Sequence, residues 1–419
     1  MRILVCGANG FIGAALCERL VRDWHLVLRG VRQPRGPMDV AIDYTTDLTP
    51  GQWLPRLRDV DVVINAVGII VERGAQTFEK LHYQAPAALF RACQEAGVQH
   101  VVQISALGAD SGDTAYFQSK YRADLALLAQ PMRVHVVRPA LVYGPAGTSA
   151  RMFRALASIP MHGLPSGGQQ RLRPVHIDDL VDMVAGLLSP GMELPGPCIN
   201  AVGATETTYR EMLSHYRAAM QLPPALAISI PSALMRMAVA VGDRIPGSPL
   251  TRDTWRMLQD GSTGSDTSTR SRLRRHPLGV EAFISKEEAS ALRHEALSTW
   301  QLPLLRLALA IVWICTAWVS VFGYPRADSL ALLSRLGLHG LTADAALIGA
   351  SALDLMFGMA TLLWPSRRLW LAQLVLVLTY SLLICVALPE FLIHPFGPVL
   401  KNIPFLAVLI TLFSSEVKS

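Results

Sequence analysis

The chain has 419 residues, 51% of them hydrophobic and 17% charged, with a formal net charge of +6. That apolar content excludes a disordered chain or a collagen-like repeat, and six cysteines in so long a chain exclude a small disulfide scaffold. No run of five or more basic residues occurs. A mildly basic protein beside an anionic leaflet accounts for the charge, and no nucleic-acid partner is expected.

The cysteines form no CxxC pair and match no zinc spacing, so free, buried thiols in a reducing compartment are expected. The apolar stretch at the N-terminus ends at Gly7, too soon for a signal peptide, and the first domain is expected to stay in the cytoplasm. Short β-branched runs near residues 3–6, 26–31, 40–43, 61–65, 100–105 and 133–137 alternate with helical stretches at 11–21, 77–96 and 116–129. This alternation predicts βαβ units, a Rossmann-type doubly wound parallel α/β sheet, with strands buried on both faces. A further strand and helix are expected over 174–188 and a last strand over 198–202. These elements define a Rossmann-type domain at 1–204.

Residues 205–300 read as a small, mostly helical lobe for substrate or linkage. Within it, 225–241 carries a single charge, Arg236, and suits either a buried or an interfacial helix. Residues 301–419 hold only 7 Lys/Arg and 5 Asp/Glu. Segments 307–325, 345–364 and 369–388 are long and apolar enough to span a bilayer, and 397–413 is a weaker fourth span. A four-helix transmembrane domain is therefore expected at 301–419. Tyr324, Trp364 and Trp370 fall at span ends, where aromatic belts belong. Four spans on a cytoplasmic N-terminal domain give a multi-pass protein of a bacterial-type inner or cell membrane, with both termini inside.

Gly7, Gly10 and Gly13 lie between the first strand and the first helix. The first glycine permits a tight turn, the second lets backbone approach a pyrophosphate, and the third lets helix and strand pack closely. Asn9, Phe11 and Ile12 complete this loop and join it as candidate cofactor contacts. After the second strand the chain offers Arg29, Arg32 and Arg35 where an NAD-specific fold offers an acid. A guanidinium can clasp a 2′-phosphate, so NADP(H) is favoured over NAD(H), with Arg32 the leading candidate and Arg29 second. Asp43 and Tyr44 could border the adenine. Asn65, Ala66, Val67 and Gly68 end the fourth strand where the ligand crevice belongs, and Pro139 ends the sixth.

Ser105 closes the fifth strand, and Tyr116 and Lys120 follow four residues apart, on one helical face. An ammonium beside the phenol would lower its pKa, allowing Tyr116 to pass a proton to a carbonyl oxygen as hydride arrives. Ser105 would hold that oxygen.

Taken with residues 104–108 (Ile-Ser-Ala-Leu-Gly), 138–145 (Arg-Pro-Ala-Leu-Val-Tyr-Gly-Pro) and 174–179 (Pro-Val-His-Ile-Asp-Asp), these motifs resemble the extended or atypical branch of the short-chain dehydrogenase/reductase superfamily over roughly 1–300. Residues 78–83 (Phe-Glu-Lys-Leu-His-Tyr) with 104–109 are most similar to relatives of the nucleotide-binding accessory subunit of respiratory complex I. The resemblance puts Tyr116 and Lys120 in the places of the catalytic pair and Ser105 in that of the third member. It also implies that a non-catalytic NADP(H)-binding regulator or assembly factor of a membrane redox complex is the rival to an enzyme. From about residue 302 the chain resembles the DoxX-like membrane family, through its spans, residues 321–325 (Val-Phe-Gly-Tyr-Pro) and residues 388–398.

The leading expectation is a membrane-tethered, NADPH-dependent oxidoreductase passing hydride to a carbonyl or quinone-like substrate, lipophilic because the tether keeps it near the bilayer. A nucleotide-sugar epimerase or dehydratase is a third reading. His176 is weighted toward a structural role. Asp354, an acid inside a span, could be functional or simply paired with Arg306 or a hydroxyl. Glu390 and His394 are expected at the far interface. No metal site is expected.

Overall fold

The computed structural model describes all residues except 190–195, 246, 247, 249, 274, 394–396, 398 and 417–419. His394 therefore lies outside the described residues. The chain divides into two compact units, Met1–Ala296 and Leu297–Ser419.

The first unit is built on β1 (Arg2–Cys6), α1 (Phe11–Arg22), β2 (Leu26–Val31), β3 (Asp39–Ala41), α2 (Pro50–Trp53), β4 (Val62–Asn65), α3 (Ala85–Glu95), β5 (His100–Ile104), α4 (Ala115–Leu128) and β6 (Arg133–Pro139). It continues through β7 (Val142–Tyr143), α5 (Thr148–Ser158), β8 (Met161–Pro165), β9 (Arg171–Leu172), β10 (Val175–His176), α6 (Ile177–Leu187) and β11 (Cys198–Ala201). Seven strands form one sheet in the order β11-β6-β5-β4-β1-β2-β3, with every neighbouring pair parallel. The order reverses between β1 and β4, and in such sheets ligands bind beyond the strand C-termini at that point.

Both sheet faces are buried, as the continuous apolar runs predict. Leu16 and Leu20 of α1 and Leu180 and Val184 of α6 cover one face. Trp53, Leu89, Phe90, Ala123 and Leu127 cover the other. The helical run expected over 77–96 opens with a π-helical turn, Glu79–Gln84, and such turns cluster at functional positions.

The lobe holds β12 (Thr207–Thr208), α7 (Tyr209–Ala219), β13 (Leu226–Ile230), α8 (Ser232–Gly242), α9 (Arg252–Asp260) and α10 (Thr267–Arg272). The charge-poor segment 225–241 is thus no single helix. Pro231 separates a strand from an 11-residue helix, too short to span a bilayer.

The second unit contains the end of α11 (Lys286–Trp318), which starts in the first unit, then α12 (Arg326–Arg335), α13 (Leu341–Leu363), α14 (Arg367–Ala387) and α15 (Asn402–Ser415). Among the described residues three helices are long and apolar enough to cross a membrane: Lys286–Gly323, Leu341–Leu363 and Arg367–Ala387. The fourth apolar helix, α15, has 14 residues, about 21 Å at 1.5 Å per residue. Inside this unit the Trp313 indole donates to Gln373 Oε1 at 2.9 Å, and the Gln373 amide donates to Thr361 Oγ1 at 2.9 Å.

Trp370 does not belong to an interfacial belt. It is fully buried and donates to Glu416 Oε2 at 3.1 Å. Tyr324 and Trp364 are exposed. Arg306 pairs with Glu416 at 3.0 Å, not with Asp354, which is buried with Oδ1 lacking a hydrogen-bond partner among the described residues. Glu390 pairs with Arg335.

Candidate functional site

The site lies at the C-terminal ends of β1, β4, β5 and β6. Gly7 leaves β1 with φ +81°, a conformation glycine takes freely. A methyl group there would stand 3.1 Å from Ala66 O and from Val67 Cγ2, and one on Gly13 would stand 2.1 Å from Gly7 O. The loop thus demands glycine at both positions. The Gly7 and Ala8 amides donate to Gly30 O at 3.1 and 3.2 Å, tying the loop to β2. Helix α1 starts after Gly10 with no side-chain cap, so its first N–H groups and positive dipole end are not occupied by the chain's own carboxylate or hydroxyl. This is the cradle a pyrophosphate requires. Phe11 lies against Gly144 and Gly147, where added methyl groups would sit 2.7 and 3.1 Å from its ring. Ile12 follows in the first helical turn.

Arg29 projects from β2 to the glycine loop and donates to Asn9 Oδ1 at 2.9 Å, with Asp39 3.6 Å away. Arg32 follows the strand as an exposed side chain with no hydrogen bond or ion pair among the described residues. Of the two arginines, Arg29 is thus engaged by the glycine loop and Arg32 is free. Arg35 is exposed farther along the loop.

The expected adenine contacts are differently used. Asp43 accepts from Thr45 N at 2.9 Å and from Thr45 Oγ1 at 2.7 Å, closing a turn. Tyr44 is a core residue. It is buried edge-on to Trp53 and donates to Asn65 Oδ1 at 2.8 Å. Asn65 in turn donates to Gln103 Oε1 at 2.7 Å and accepts from Val67 N at 3.2 Å. This buried network fixes Ala66, Val67 and Gly68 beneath the cleft. Pro139 ends β6, and its carbonyl accepts from Leu107 N at 2.9 Å.

Thr114 caps α4 through the Phe117 amide, so Tyr116 and Lys120 occupy its first two turns. The Lys120 amine is buried and donates to Ile104 O at 3.1 Å and Val67 O at 3.4 Å, bridging the ends of β4 and β5. A methyl group on Gly68 would lie 3.0 Å from this amine. Burial pushes the amine down to about 8, against the pull of Asp124. Val67, which a methyl group on Gly7 would meet, is thus also the residue whose carbonyl holds Lys120.

The half-buried ring of Tyr116 stands edge-on to Phe78, His82 and Phe117 and, like Met257 of α9, packs against the cluster of Ala106, Ala109 and Phe117. Burial alone pushes its phenol up to about 12. The expected lowering by Lys120 is therefore overturned, because that amine is turned toward two backbone carbonyls. Ser105 also differs from expectation. Its hydroxyl donates to Asp124 Oδ2 at 2.9 Å, beside Arg138 Nε at 3.2 Å. Burial raises the Asp124 carboxyl, opposed by those two donors. Ser105 thus stands in the cleft wall with its proton already engaged.

Two contributors escaped the sequence reading. His82, on the π-turn, accepts from Ile69 N at 3.0 Å through Nε2. Its Nδ1 therefore carries the proton and faces Ser119 Oγ at 2.9 Å, and that hydroxyl donates to Tyr116 O at 2.8 Å. Burial and the Lys120 charge push His82 down to about 2, so it stays neutral. Asp124 extends the Tyr116–Lys120 spacing by four more residues, a signal the sequence did contain. His176 caps α6 by accepting from Asp178 N at 3.3 Å, a structural role, as the sequence suggests.

Comparison with known proteins agrees with this architecture. Residues 3–195 match the NAD dependent epimerase/dehydratase family, and residues 310–410 match the DoxX-like family. The chain is 28% identical over 184 residues to ceramide reductase of Caulobacter vibrioides, a match covering 42% of this chain and 57% of that protein. It thus spans little more than half the length of that relative. It is also 28% identical over 259 residues to epimerase family protein Mb2239 of Mycobacterium bovis, covering 56% of this chain and 84% of that one. Among solved structures, human epimerase family protein SDR39U1 with NADPH superposes with a TM-score of 0.55 at 18% identity, over 69% of this chain and 99% of that chain. UDP-glucuronic acid 4-epimerase from Bacillus cereus, with UDP-glucuronic acid and NAD, gives 0.51 at 16%, over 70% and 99%. At these identities the structural likeness is one of fold.

Proposed function

We propose, for a chain that joins a domain of the NAD dependent epimerase/dehydratase family at residues 3–195 to a DoxX-like membrane domain at residues 310–410, that it is a membrane-tethered, NADPH-dependent reductase of a lipophilic carbonyl compound. The observation that carries this reading is the placement of Tyr116. Its phenol sits in an apolar wall one helical turn from Lys120, whose amine contacts the segment lining the glycine loop.

Gly7, Asn9, Gly10, Phe11, Ile12 and Gly13 would hold the pyrophosphate, and Arg32 with Arg29 the 2′-phosphate. Ala66, Val67, Gly68, Lys120 and Pro139 would border the remainder. The nicotinamide cofactor, when bound, supplies hydride. Tyr116 keeps its proton at neutral pH, since burial holds the phenol at about 12, and can give it to a carbonyl oxygen becoming a hydroxyl. Lys120 supplies positive charge below about pH 8. His82 and Ser119 act as positioning residues through the Tyr116 backbone.

The apolar surroundings of Tyr116 favour a lipid-like substrate over a sugar, whose hydroxyls would need polar partners there. The ceramide reductase relative supports the same direction. NADPH is a cytosolic reductant, so we place the N-terminal domain on the cytoplasmic side of a multi-pass inner-membrane protein, with α15 as the fourth span. One observation favours a second reading, a nucleotide-binding module without turnover: Ser105 gives its proton to Asp124 and not to the cleft.

The test is NADPH oxidation by the full chain in nanodiscs, offered a long-chain ketone and a short-chain ketone with the same head. Faster consumption of the long-chain ketone is the expected result. Oxidation of neither, with NADPH bound, would leave the binding module as the function.

A further inference from the structure

The outward side of the lobe has the wrong chemistry for a surface in water. Helix α8 turns Met235, Val239 and Gly242 inward, where Met235 and Val239 pack on Trp255 of α9. Its opposite side carries Leu234, Met237 and Val241, which are 55%, 67% and 58% exposed. Their spacing of three and four makes one continuous stripe. A helix on a soluble domain places charge there, so an exposed apolar stripe marks an interaction surface.

The strand before it behaves alike. In β13, Leu226 and Ile228 are exposed on one face, and Leu226 is paired in register with exposed Met161 of β8. The charges within α8 and its C-terminal turn are Arg236, Arg244 and Asp243, and Asp243 is paired with Arg252 at 2.9 Å. The stripe is therefore apolar with a net cationic border, the composition of helices that lie in the headgroup region of anionic leaflets.

We propose that α8 and β13 form a docking surface by which the N-terminal unit lies on an anionic bilayer. The same chain carries a membrane domain, which holds this unit near the bilayer and makes even a weak surface affinity effective. An 11-residue helix cannot cross the hydrocarbon, but it can bury Leu234, Met237 and Val241 at its edge. The docking requires no turnover, so it stands or falls separately from the reductase reading.

The test uses the full chain in nanodiscs, with Cys198, Cys315 and Cys385 replaced by serine and an environment-sensitive NBD label on Met237→Cys. A matched sample carries the label on Val21→Cys, an exposed position on α1. In discs containing phosphatidylglycerol, the expected result is blue-shifted emission at 237, quenched by lipids bearing a doxyl group near the headgroup, with neither change at 21. Arg236→Gln and Arg244→Gln should each lower the ratio of docked to free unit roughly fivefold, the effect of about 1 kcal/mol per basic residue. Unchanged thermal unfolding of these variants keeps a loss of docking distinct from a loss of fold. Water-like emission at 237 in every disc overturns the proposal. Blue-shifted emission without lipid quenching, seen only with two chains per disc, would assign the stripe to a second copy and also overturn it.

Discussion

The two edges of the seven-stranded sheet both bury polar side chains, but they use them differently. At the N-terminal edge, His100 Nε2 and His135 Nδ1 meet at 2.6 Å on adjacent strands, and Arg2 N donates to Asp61 Oδ2 at 2.7 Å. These contacts are closed on themselves. At the C-terminal edge, Asn65, His82 and Lys120 bond to backbone of the loops leaving the strands, and they hold those loops open around glycine. Burying polar groups is costly at either edge. At one edge the bonds stabilise only the sheet, and at the other they set the shape of a cleft.

Substitutions at the two edges should separate these uses. Tyr116→Phe keeps the ring among Phe78, His82 and Phe117 and removes only the proton. Turnover should fall by about 10²–10⁴, with NADPH binding and thermal stability unchanged, as steady-state kinetics and calorimetry would show. His135→Phe leaves His100 without its partner at the opposite edge. It should cost about 1–3 kcal/mol of stability in denaturant unfolding and leave NADPH affinity alone. An equal loss of affinity would mean that the edges are coupled. Arg32→Glu is a smaller change, because the side chain is exposed. It should weaken NADPH by about 1 kcal/mol, roughly fivefold, and NADH less. Equal weakening of both would remove Arg32 from the 2′-phosphate.

What the sequence revealed follows the same division. The strands were readable because a parallel sheet covered on both faces must be apolar throughout, as in residues 62–64 and 134–137. The glycine loop was readable because Gly13 has no steric alternative, and α4 because a four-residue spacing survives any tertiary setting. Hydrogen-bond choice was not readable. Ser105 could face the cleft or Asp124, and only the fold brings Asp124 within reach. Tyr44 read as a ligand contact because nothing local distinguishes a buried phenol with a partner on β4 from an exposed one. Trp370 read as an interfacial anchor for the same reason, its partner Glu416 lying 46 residues away. In 225–241, low charge fitted both a buried and an exposed apolar surface, and periodicity does not say which face has a neighbour.

pH should draw the comparison out most finely. His100 and His135 are pushed down to about 3 and 4, chiefly by burial, from an unfolded value near 6.5. Their contribution to stability is therefore whole above about pH 6.5 and lost as the pH falls toward 4, because the unfolded chain then binds protons that the folded pair refuses. Lys120 also has a lowered folded value, about 8 against 10.5. Its protonation weighs against the folded state below pH 8, and that burden is relieved as the pH rises toward 10.5. Nucleotide binding should run the other way, because the charge that Lys120 offers a ligand is lost as the pH rises through 8. The expected outcome is a stability profile that falls on the acid side and, independently, an NADPH affinity that falls severalfold between about pH 7 and 9. Lys120→Met should flatten the second curve and, apart from the share of His82, whose lowering depends partly on the Lys120 charge, leave in place the acid limb that comes from His100 and His135. An acid limb that also vanished in that variant would show the histidine edge answering to the cleft.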